Sequence, residues 1–308
     1  VFASVMNGIV ATLTANGAKG VVTNVPYITD LAHFTTVPHN PIDGAAIAGQ
    51  VALLNQIYGA INQIFTAVGQ PERAITFSAS GANAMVIFDE DATDLTQVIA
   101  QNLGASPTFA AFVQSLGLPA QAAPLVANLL GQQFGKARPA TENDLFVLPS
   151  SAVIGQVDTD VMQSLMAQGI PQALAGQFSV RGVTLPMADR WALTPQEQTA
   201  IRNATDAFNS SIQSIASSNP NVALVDLKSV LEEASGGIQF DNYTLTTSLV
   251  TGGLISLDGI HLTARGYALM ANKILEAMDA NFGSNFASAT DGLAVAGDYP
   301  TNYSPALR

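Results

Sequence analysis

Three short runs of β-branched and other apolar residues limit the folds open to this chain. They cover residues 19–26, 144–149 and 221–226, and Gly, Pro or polar residues bound them. Continuous apolar runs of this length are typical of strands that are buried on both faces of a parallel sheet. Helical patterns precede or follow the runs. We therefore predict an α/β fold, a three-layer α/β/α sandwich with a mainly parallel sheet.

The helices of this sandwich are predicted from apolar residues at helical spacing over residues 2–15, 43–68, 195–215 and 264–278. Thr194 and Thr263 stand where a helix N-cap is expected, and Pro195 suits the first helical position. Two strand-like runs, 74–78 and 84–88, enclose a Ser-Gly-Ala-Asn segment that predicts a hairpin turn.

We expect one domain over residues 1–308, with an apolar helical insertion at about 89–140 and an irregular tail at about 283–308. The insertion carries several Phe, Leu and Val residues, interrupted by Pro and small residues. It has two interpretations that the sequence leaves open. It is either a lid over a site for apolar substrates or an ordinary helical subdomain with a packed core.

Charge and composition exclude several functions. The net charge is −12, and the 11 basic residues are scattered, so a nucleic-acid surface is not expected. The chain has no cysteine, which excludes disulfides, thiol catalysis and Cys-type metal sites. Its three histidines show no metal-ligand spacing. We expect no metal and no cofactor. No uninterrupted apolar stretch reaches the length of a membrane span.

The strongest chemical signal is Asp258, three residues before His261 and just before the predicted N-cap Thr263. A carboxylate on the same short turn as an imidazole can accept a hydrogen bond from one ring nitrogen and so fix the tautomer. The other nitrogen is then free to take a proton from a hydroxyl nucleophile. The alternative is a local hydrogen bond within a turn, because Asp-x-x-His also occurs by chance.

The block from Asp258 to Thr263, followed by Gly266 and Tyr267, resembles the C-terminal catalytic block of SGNH hydrolases, also called GDSL-type lipases and acylhydrolases. The segments 17–26, 34–38, 147–155 and 240–253 resemble the middle of a branch of that family found in Bacteroidetes. This resemblance implies acyl-ester hydrolysis by a serine nucleophile. It also implies that His261 is the general base and Asp258 its orienting carboxylate.

The chain departs from the family pattern: it contains no Gly-Asp-Ser, and the Gly and Asn blocks that complete the family's oxyanion hole also belong upstream of the strand run at 19–26. The family places that serine upstream of everything seen here, and residues 1–6 read as the middle of a helix. We therefore expect the C-terminal portion of a longer esterase, inert alone, whose serine precedes Val1. The alternative is a non-catalytic binding or surface protein that has lost its nucleophile.

Other polar residues near predicted strand ends are weaker candidates. Ser78, Ser80, Ser150 and Ser151 are the hydroxyls of this kind, and none lies in a Gly-x-Ser-x-Gly elbow. We expect them to close turns, although Ser150 and Ser151 could line a substrate pocket. Gly81 to Asn83 imitates an oxyanion-hole block, but we interpret it as a turn.

Two of the three histidines, His33 and His39, lie in the Pro- and Thr-rich loop over residues 27–43, just after the first strand run. Loops at such positions often carry ligand contacts in α/β proteins. The simpler interpretation is that both are solvated loop residues.

The resemblance also implies where the protein acts and on what. We expect a lipid or carbohydrate ester, or another small-molecule ester, as substrate. We further expect a bacterial protein that is secreted, periplasmic or attached to the outer membrane, with membrane-surface association through an upstream lipid anchor. The sequence does not indicate an oligomeric state.

Overall fold

The computed structural model describes residues 1–302, which fall into two compact units. Unit 1 comprises Val1–Thr36 and the chain from Gln196 onward, and unit 2 comprises Val37–Pro195. The helical stretch predicted at about 89–140 lies inside unit 2, and Asp258 and His261 lie in unit 1.

Twelve α-helices occur in the described part of the chain: α1 (Phe2–Thr14), α2 (Ala32–Thr35), α3 (Gly44–Ile47), α4 (Val51–Ala67), α5 (Thr96–Gly104), α6 (Pro107–Ser115), α7 (Ala123–Phe134), α8 (Thr159–Ala167), α9 (Gln172–Gln177), α10 (Pro195–Ser218), α11 (Leu227–Gly236) and α12 (Ala264–Phe282). Ten strands occur over residues 1–302: β1 (Gly20–Thr23), β2 (Ile42–Asp43), β3 (Ala82–Asn83), β4 (Val86–Phe88), β5 (Ala137–Pro139), β6 (Leu145–Phe146), β7 (Ala192–Leu193), β8 (Val222–Val225), β9 (Ile238–Phe240) and β10 (Tyr243–Leu245). The α/β class predicted from the sequence is confirmed.

Unit 1 is built on the parallel pair β1 and β8, in which Gly20 lies opposite Val222. Successive side chains of a strand point to opposite faces. On one face Val222 packs with Val10 of α1 and Ile215 of α10. The residues that alternate with Val222, including Ala223, are buried as well, and α12 packs against both strands. Helices therefore lie on the two faces of this pair.

A second core in unit 1 supports the region that carries Asp258 and His261. The strands β9 and β10 form an antiparallel hairpin whose turn contains Asp241, at φ 52°. Buried members of this core come from the start of α2 and the residue before it, α11, the hairpin, residues 254–255, α12 and the 3-10 turn that begins at residue 296: Leu31, Ala32, Ala234, Ile238, Phe240, Leu245, Leu254, Ile255, Ala268, Leu269, Met270 and Ala296. The predicted irregular tail contains two short 3-10 turns, Phe286–Ser288 and Ala296–Asp298.

Unit 2 has a large core of its own, formed mainly by α4, α5, α6 and α7 together with β4. The strands β4 and β5 are antiparallel, and so are the pairs β2 with β3 and β6 with β7. Parallel strand pairing in residues 1–302 is thus limited to β1 with β8, apart from single-residue bridges. The described strands pair two by two, and parallel pairing is less extensive than the sequence pattern predicted.

Three local predictions in unit 2 were wrong. Residues 74–78 and 84–88 do not form a hairpin. Instead, the backbone at Ile75 and Phe77 is bonded to the side-chain amides of Asn62 and Asn55 on α4. The run at 144–149 is a strand only over Leu145–Phe146, because a 3-10 turn, Leu148–Ala152, begins after one intervening residue. The helix predicted over 43–68 is interrupted between α3 and α4.

Within the part of the chain that the structure describes, no single helix has both the length and the apolar character needed to cross a membrane. Two neighbouring helical segments, Pro107–Ser115 and Ala120–Phe134, reach that length and composition only when taken together, and they are bent by 115° at the break.

Candidate functional site

A tight turn over residues 256–261 brings Asp258 and His261 together. Ile255 and Leu262 form an antiparallel bridge, and the Ser256 N–H donates to the His261 carbonyl at 2.7 Å, which closes the turn. Gly259 has φ +75°, a left-handed conformation that glycine adopts without strain. The turn is therefore set by local backbone bonds and by one glycine.

The carboxylate of Asp258 takes part in four hydrogen bonds. Its Oδ1 atom accepts from the Ser256 hydroxyl at 2.8 Å and from the backbone N–H groups of Ile260 and His261 at 2.9 and 3.0 Å. Its Oδ2 atom lies 2.6 Å from His261 Nδ1. The imidazole and the other three donors hold the pKa of the Asp258 carboxyl well below its usual range, because hydrogen bonds to the ionised form favour it.

His261 presents its free edge to solvent. Because an ionised carboxylate only accepts hydrogen bonds, the 2.6 Å contact places a proton on Nδ1 of the imidazole. The Nε2 atom makes no hydrogen bond to any other residue in the described chain. The His261 side chain is 69% exposed and that of Asp258 49% exposed. The arrangement is that of an oriented base whose proton-accepting atom is accessible.

The helix that follows fixes the far end of the turn. The Thr263 hydroxyl donates to the Gly253 carbonyl at 2.6 Å and accepts from the Gly266 N–H at 3.0 Å. Thr263 is buried and caps α12 as its sequence position predicted. Since α12 packs on β1 and β8, this cap connects the turn to the central layer of unit 1.

A contact from distant sequence reaches the same turn. The backbone N–H of His33, in α2, donates to the Gly259 carbonyl at 2.9 Å. Its Nδ1 atom lies 3.0 Å from the Asp258 carbonyl oxygen. The interpretation of His33 as a solvated loop residue was therefore wrong, while His39 belongs to unit 2. Only the folded chain reveals the His33 contact, because 225 residues separate His33 from Asp258.

A cleft of about 170 Å³ lies beyond the carboxyl ends of β1 and β8, the edge at which α/β proteins bind ligands. Tyr27 and Lys228 are among its lining residues. The Tyr27 hydroxyl donates to Asp206 at 2.6 Å. Its ring contacts both Arg202 and Lys228, whose charged groups are 4.5 and 4.7 Å from the ring centroid. The segment that joins β1 to α2 is thus held in place.

The other hydroxyl candidates lie in unit 2. Ser150 is fully buried, and its Oγ atom has no hydrogen-bond partner among the described residues. The Ser151 hydroxyl donates to the Leu148 carbonyl, as the turn-closing interpretation expects. Ser78 and Ser80 lie side by side, with their hydroxyls 3.4 Å apart.

The Gly-Ala-Asn segment of unit 2 is not a hairpin turn, since Asn83 belongs to β3. Its carboxamide is committed to the backbone of Ser78, accepting from the N–H at 2.6 Å and donating to the carbonyl at 3.0 Å. The side chain of Asn83 therefore has a structural role at this position.

Sequence reasoning missed two contributors to the site, Ser256 and His33. The position of Ser256, two residues before an Asp, is a signal for a local hydroxyl–carboxylate bond and could have identified it. No comparable local signal exists for His33.

The family model of the GDSL-like lipase/acylhydrolases matches residues 10–274 of the chain. The match includes β1, β8 and the turn that carries Asp258 and His261. No curated protein and no solved structure matched the chain.

Proposed function

The chain belongs to the GDSL-like lipase/acylhydrolase family, and from this membership we propose that it is a serine ester hydrolase in which His261 is the general base and Asp258 orients it. One observation carries the assignment. The imidazole is held by a carboxylate at 2.6 Å through Nδ1, while Nε2 faces solvent without a partner among residues 1–302. This is the arrangement that a hydroxyl nucleophile needs beside it.

The proposed reaction is acyl transfer in two steps. His261 Nε2 takes the proton of a serine hydroxyl as the serine oxygen attacks the ester carbonyl. His261 then returns that proton to the alcohol, which leaves as the C–O bond breaks and an acyl-serine forms. Water then attacks the acyl-serine carbonyl as the same Nε2 atom takes its proton. The bond between the acyl carbon and the serine oxygen breaks, the acid leaves, and His261 returns the proton to the serine oxygen. Asp258 stabilises the imidazolium formed in each step without taking up its proton.

In this proposal the nucleophile comes from a Gly-Asp-Ser block upstream of Val1. Such a block does not occur in the 308 residues. Two features of unit 1 fit a further segment packed beside β1. Each strand of the β1–β8 pair has one edge without a strand partner among the described residues. The helix α1 also exposes Val5, Ile9 and Leu13, which lie on one stripe.

The test uses the protein encoded by the full gene, assayed on p-nitrophenyl esters. We expect turnover that falls by about 10³-fold or more in His261→Ala, because loss of the base leaves only binding and electrostatic contributions. His39→Ala is the matched control and should keep wild-type activity. Equal turnover in wild type and His261→Ala would sink the proposal.

The binding-protein alternative keeps one observation in its favour: no hydroxyl of the described residues bonds to His261 Nε2. The two functions differ in a single sequence feature. A Gly-Asp-Ser in the encoded sequence before Val1 supports the enzyme, and a different sequence there supports the binding protein. Covalent labelling with an organophosphate separates them at the level of chemistry, since only the enzyme holds a reactive serine.

The substrate class and the location follow from the family branch that the sequence resembles. We propose a small-molecule, lipid or carbohydrate ester as substrate. We also propose an exported protein that is secreted, periplasmic or attached to the outer membrane, with membrane-surface association through an upstream lipid anchor. Activity against acyl esters of increasing chain length, beside acetylated sugars, tests the first part. Fractionation of the producing cells tests the second, and protein found only in the cytoplasm would contradict it.

A further inference from the structure

His33 attaches the carbonyl side of the turn that carries Asp258 and His261 to unit 1, while Thr263 holds the far end of that turn. His33 binds two consecutive carbonyls, that of Gly259 through its backbone N–H and that of Asp258 through Nδ1, at 2.9 and 3.0 Å. A carbonyl oxygen only accepts hydrogen bonds, so the Nδ1 atom of His33 is the donor. The carbonyl side of the turn is therefore fixed by a side chain and a backbone group of the same residue.

The backbone of the turn at Gly259 packs against the backbone of α2 at His33 without room for a side chain. A Cβ atom on Gly259 would lie 2.5 Å from the His33 nitrogen and 2.8 Å from its Cα. The residues before His33, Leu31 and Ala32, are buried in the same core as Ile255. The helix α2 is thus anchored, and the turn lies directly against it.

The turn itself has little packing to hold it. Leu257 and Ile260 are exposed, and so are the side chains of Asp258 and His261. Hydrogen bonds within the turn set its internal shape, and the Ile255–Leu262 bridge and Thr263 anchor its two ends. The bonds from His33 are the further attachment at the middle of the turn, at the peptide next to the carboxylate that meets His261.

We propose that His33 is a positioning residue, whose Nδ1–H holds the Asp258 peptide so that the carboxylate meets His261 Nδ1. It touches no reacting atom and acts through Asp258. The catalytic consequence rests on the function proposed above, whereas the structural part concerns the turn alone.

The experiment compares variants that differ in one donor. In His33→Asn the side-chain Nδ2 is attached to Cγ, as Nδ1 is in histidine, and it can donate to the same carbonyl. His33→Leu has a similar size and no donor. His39→Ala is the control for loss of a histidine elsewhere. The backbone bond to Gly259 is available in all of these variants, so the comparison isolates the side-chain bond.

The first readout is ¹⁵N NMR of the imidazoles, which is tractable because the chain has three histidines. We expect His33 to carry its proton on Nδ1 in the wild type. We expect His33→Leu to lower the fraction of His261 with a proton on Nδ1 and to speed exchange of the Ile260 and His261 amides by about tenfold, in line with the loss of one hydrogen bond. His33→Asn should restore both signals.

The second readout is turnover by the full-length protein. A drop in kcat of about tenfold in His33→Leu, with KM unchanged and rescue in His33→Asn, is the expected result for displacement of an orienting group. Wild-type NMR signals in a folded His33→Leu would overturn the proposal. So would a His33 that lacks the Nδ1 proton in the wild type, a result that needs no variant. Absence of activity in the wild type would refute the proposed function instead, and the NMR result would still decide the role of His33.

Discussion

The Ser256 hydroxyl donates to Asp258 Oδ1 at 2.8 Å, the carboxylate oxygen that does not contact the His261 imidazole. It joins two backbone N–H groups at that oxygen, so that Oδ2 alone is left for the imidazole. Three hydrogen bonds thereby hold the carboxylate through Oδ1, and Oδ2 is oriented toward the imidazole. Ser256 itself is engaged with Asp258, which is why we do not assign it as the nucleophile.

Replacing Ser256 by Ala should weaken this arrangement without abolishing it. Two backbone donors remain on Oδ1, so we expect the pKa of Asp258 to rise and kcat to fall by about three- to tenfold, the scale of one hydrogen bond. Carboxyl ¹³C NMR measures the first effect and ester turnover the second. Ser211→Ala, which removes an exposed hydroxyl bonded within α10, is the control. An unchanged Asp258 titration would show that the hydroxyl is a spectator.

The depressed pKa of Asp258 predicts how the turn responds to acid. The hydrogen bond from His261, followed by those from Ile260 and Ser256, lowers this pKa. A group whose pKa is lower when folded stabilises the fold fully above its unfolded value, about 3.9 for Asp, and loses that contribution as the pH falls toward the folded value. Above pH 5 we therefore expect no pH dependence from Asp258.

The measurement is urea unfolding of wild type and Asp258→Asn at pH 7, 4 and 3. The wild type should be more stable at pH 7, and the difference should shrink at pH 4 and 3. Other carboxylates with depressed pKa values, such as Asp226 and Asp279, are the same in both proteins and cancel. If the difference in unfolding free energy between the two proteins grew as the pH fell, the sign would be opposite, and the result would contradict a lowered pKa for Asp258.

The space around Gly259 predicts a large effect of a single methyl group. Gly259→Ala meets both a φ of +75° and a Cβ contact of 2.5 Å with the His33 backbone. We expect a loss of roughly 2–4 kcal/mol in the free energy of unfolding, because backbone strain and a steric clash add. Gly283→Ala is the matched control, since Gly283 has φ +70° and nothing within 4 Å of its added Cβ.

The control variant should lose only about 1 kcal/mol, the cost of the left-handed conformation alone. Denaturant unfolding of both proteins gives the two values. Equal losses would mean that the turn can move away from α2 at no cost. The close contact between Gly259 and His33 would then contribute nothing to the free energy of unfolding.

What the sequence predicted well is local. Asp258 and His261 are three residues apart, so one turn brings them together, and Thr263 caps the helix that begins at the next residue. The strand runs around β1 and β8 were recognisable because each is apolar on both faces. These features depend on spacing within a few residues, which a pattern in the sequence records directly.

What the sequence did not predict depends on distant partners. His33 meets Asp258 across 225 residues, and nothing near His33 indicates it. Residues 74–78 are apolar and extended, but the side chains of Asn55 and Asn62 take their backbone bonds in place of a neighbouring strand. An apolar run indicates that a segment is buried. It does not indicate which groups form hydrogen bonds with the backbone N–H and carbonyl groups of that segment.

The buried hydroxyl of Thr263 predicts a difference between two conservative substitutions. Thr263→Ser keeps the donor to the Gly253 carbonyl and the acceptor for the Gly266 N–H, whereas Thr263→Val keeps the shape and loses both. We expect Thr263→Val to cost roughly 2–3 kcal/mol, because a helix cap is lost and a buried carbonyl is left without its donor. Thr263→Ser should cost under about 1 kcal/mol, since only one methyl group is removed.

Because Thr263 connects the turn to α12, Thr263→Val should also speed amide exchange at His261. Unfolding free energies together with exchange rates check both parts. If the two variants were equally stable, the cap would owe its effect to packing and not to the hydroxyl.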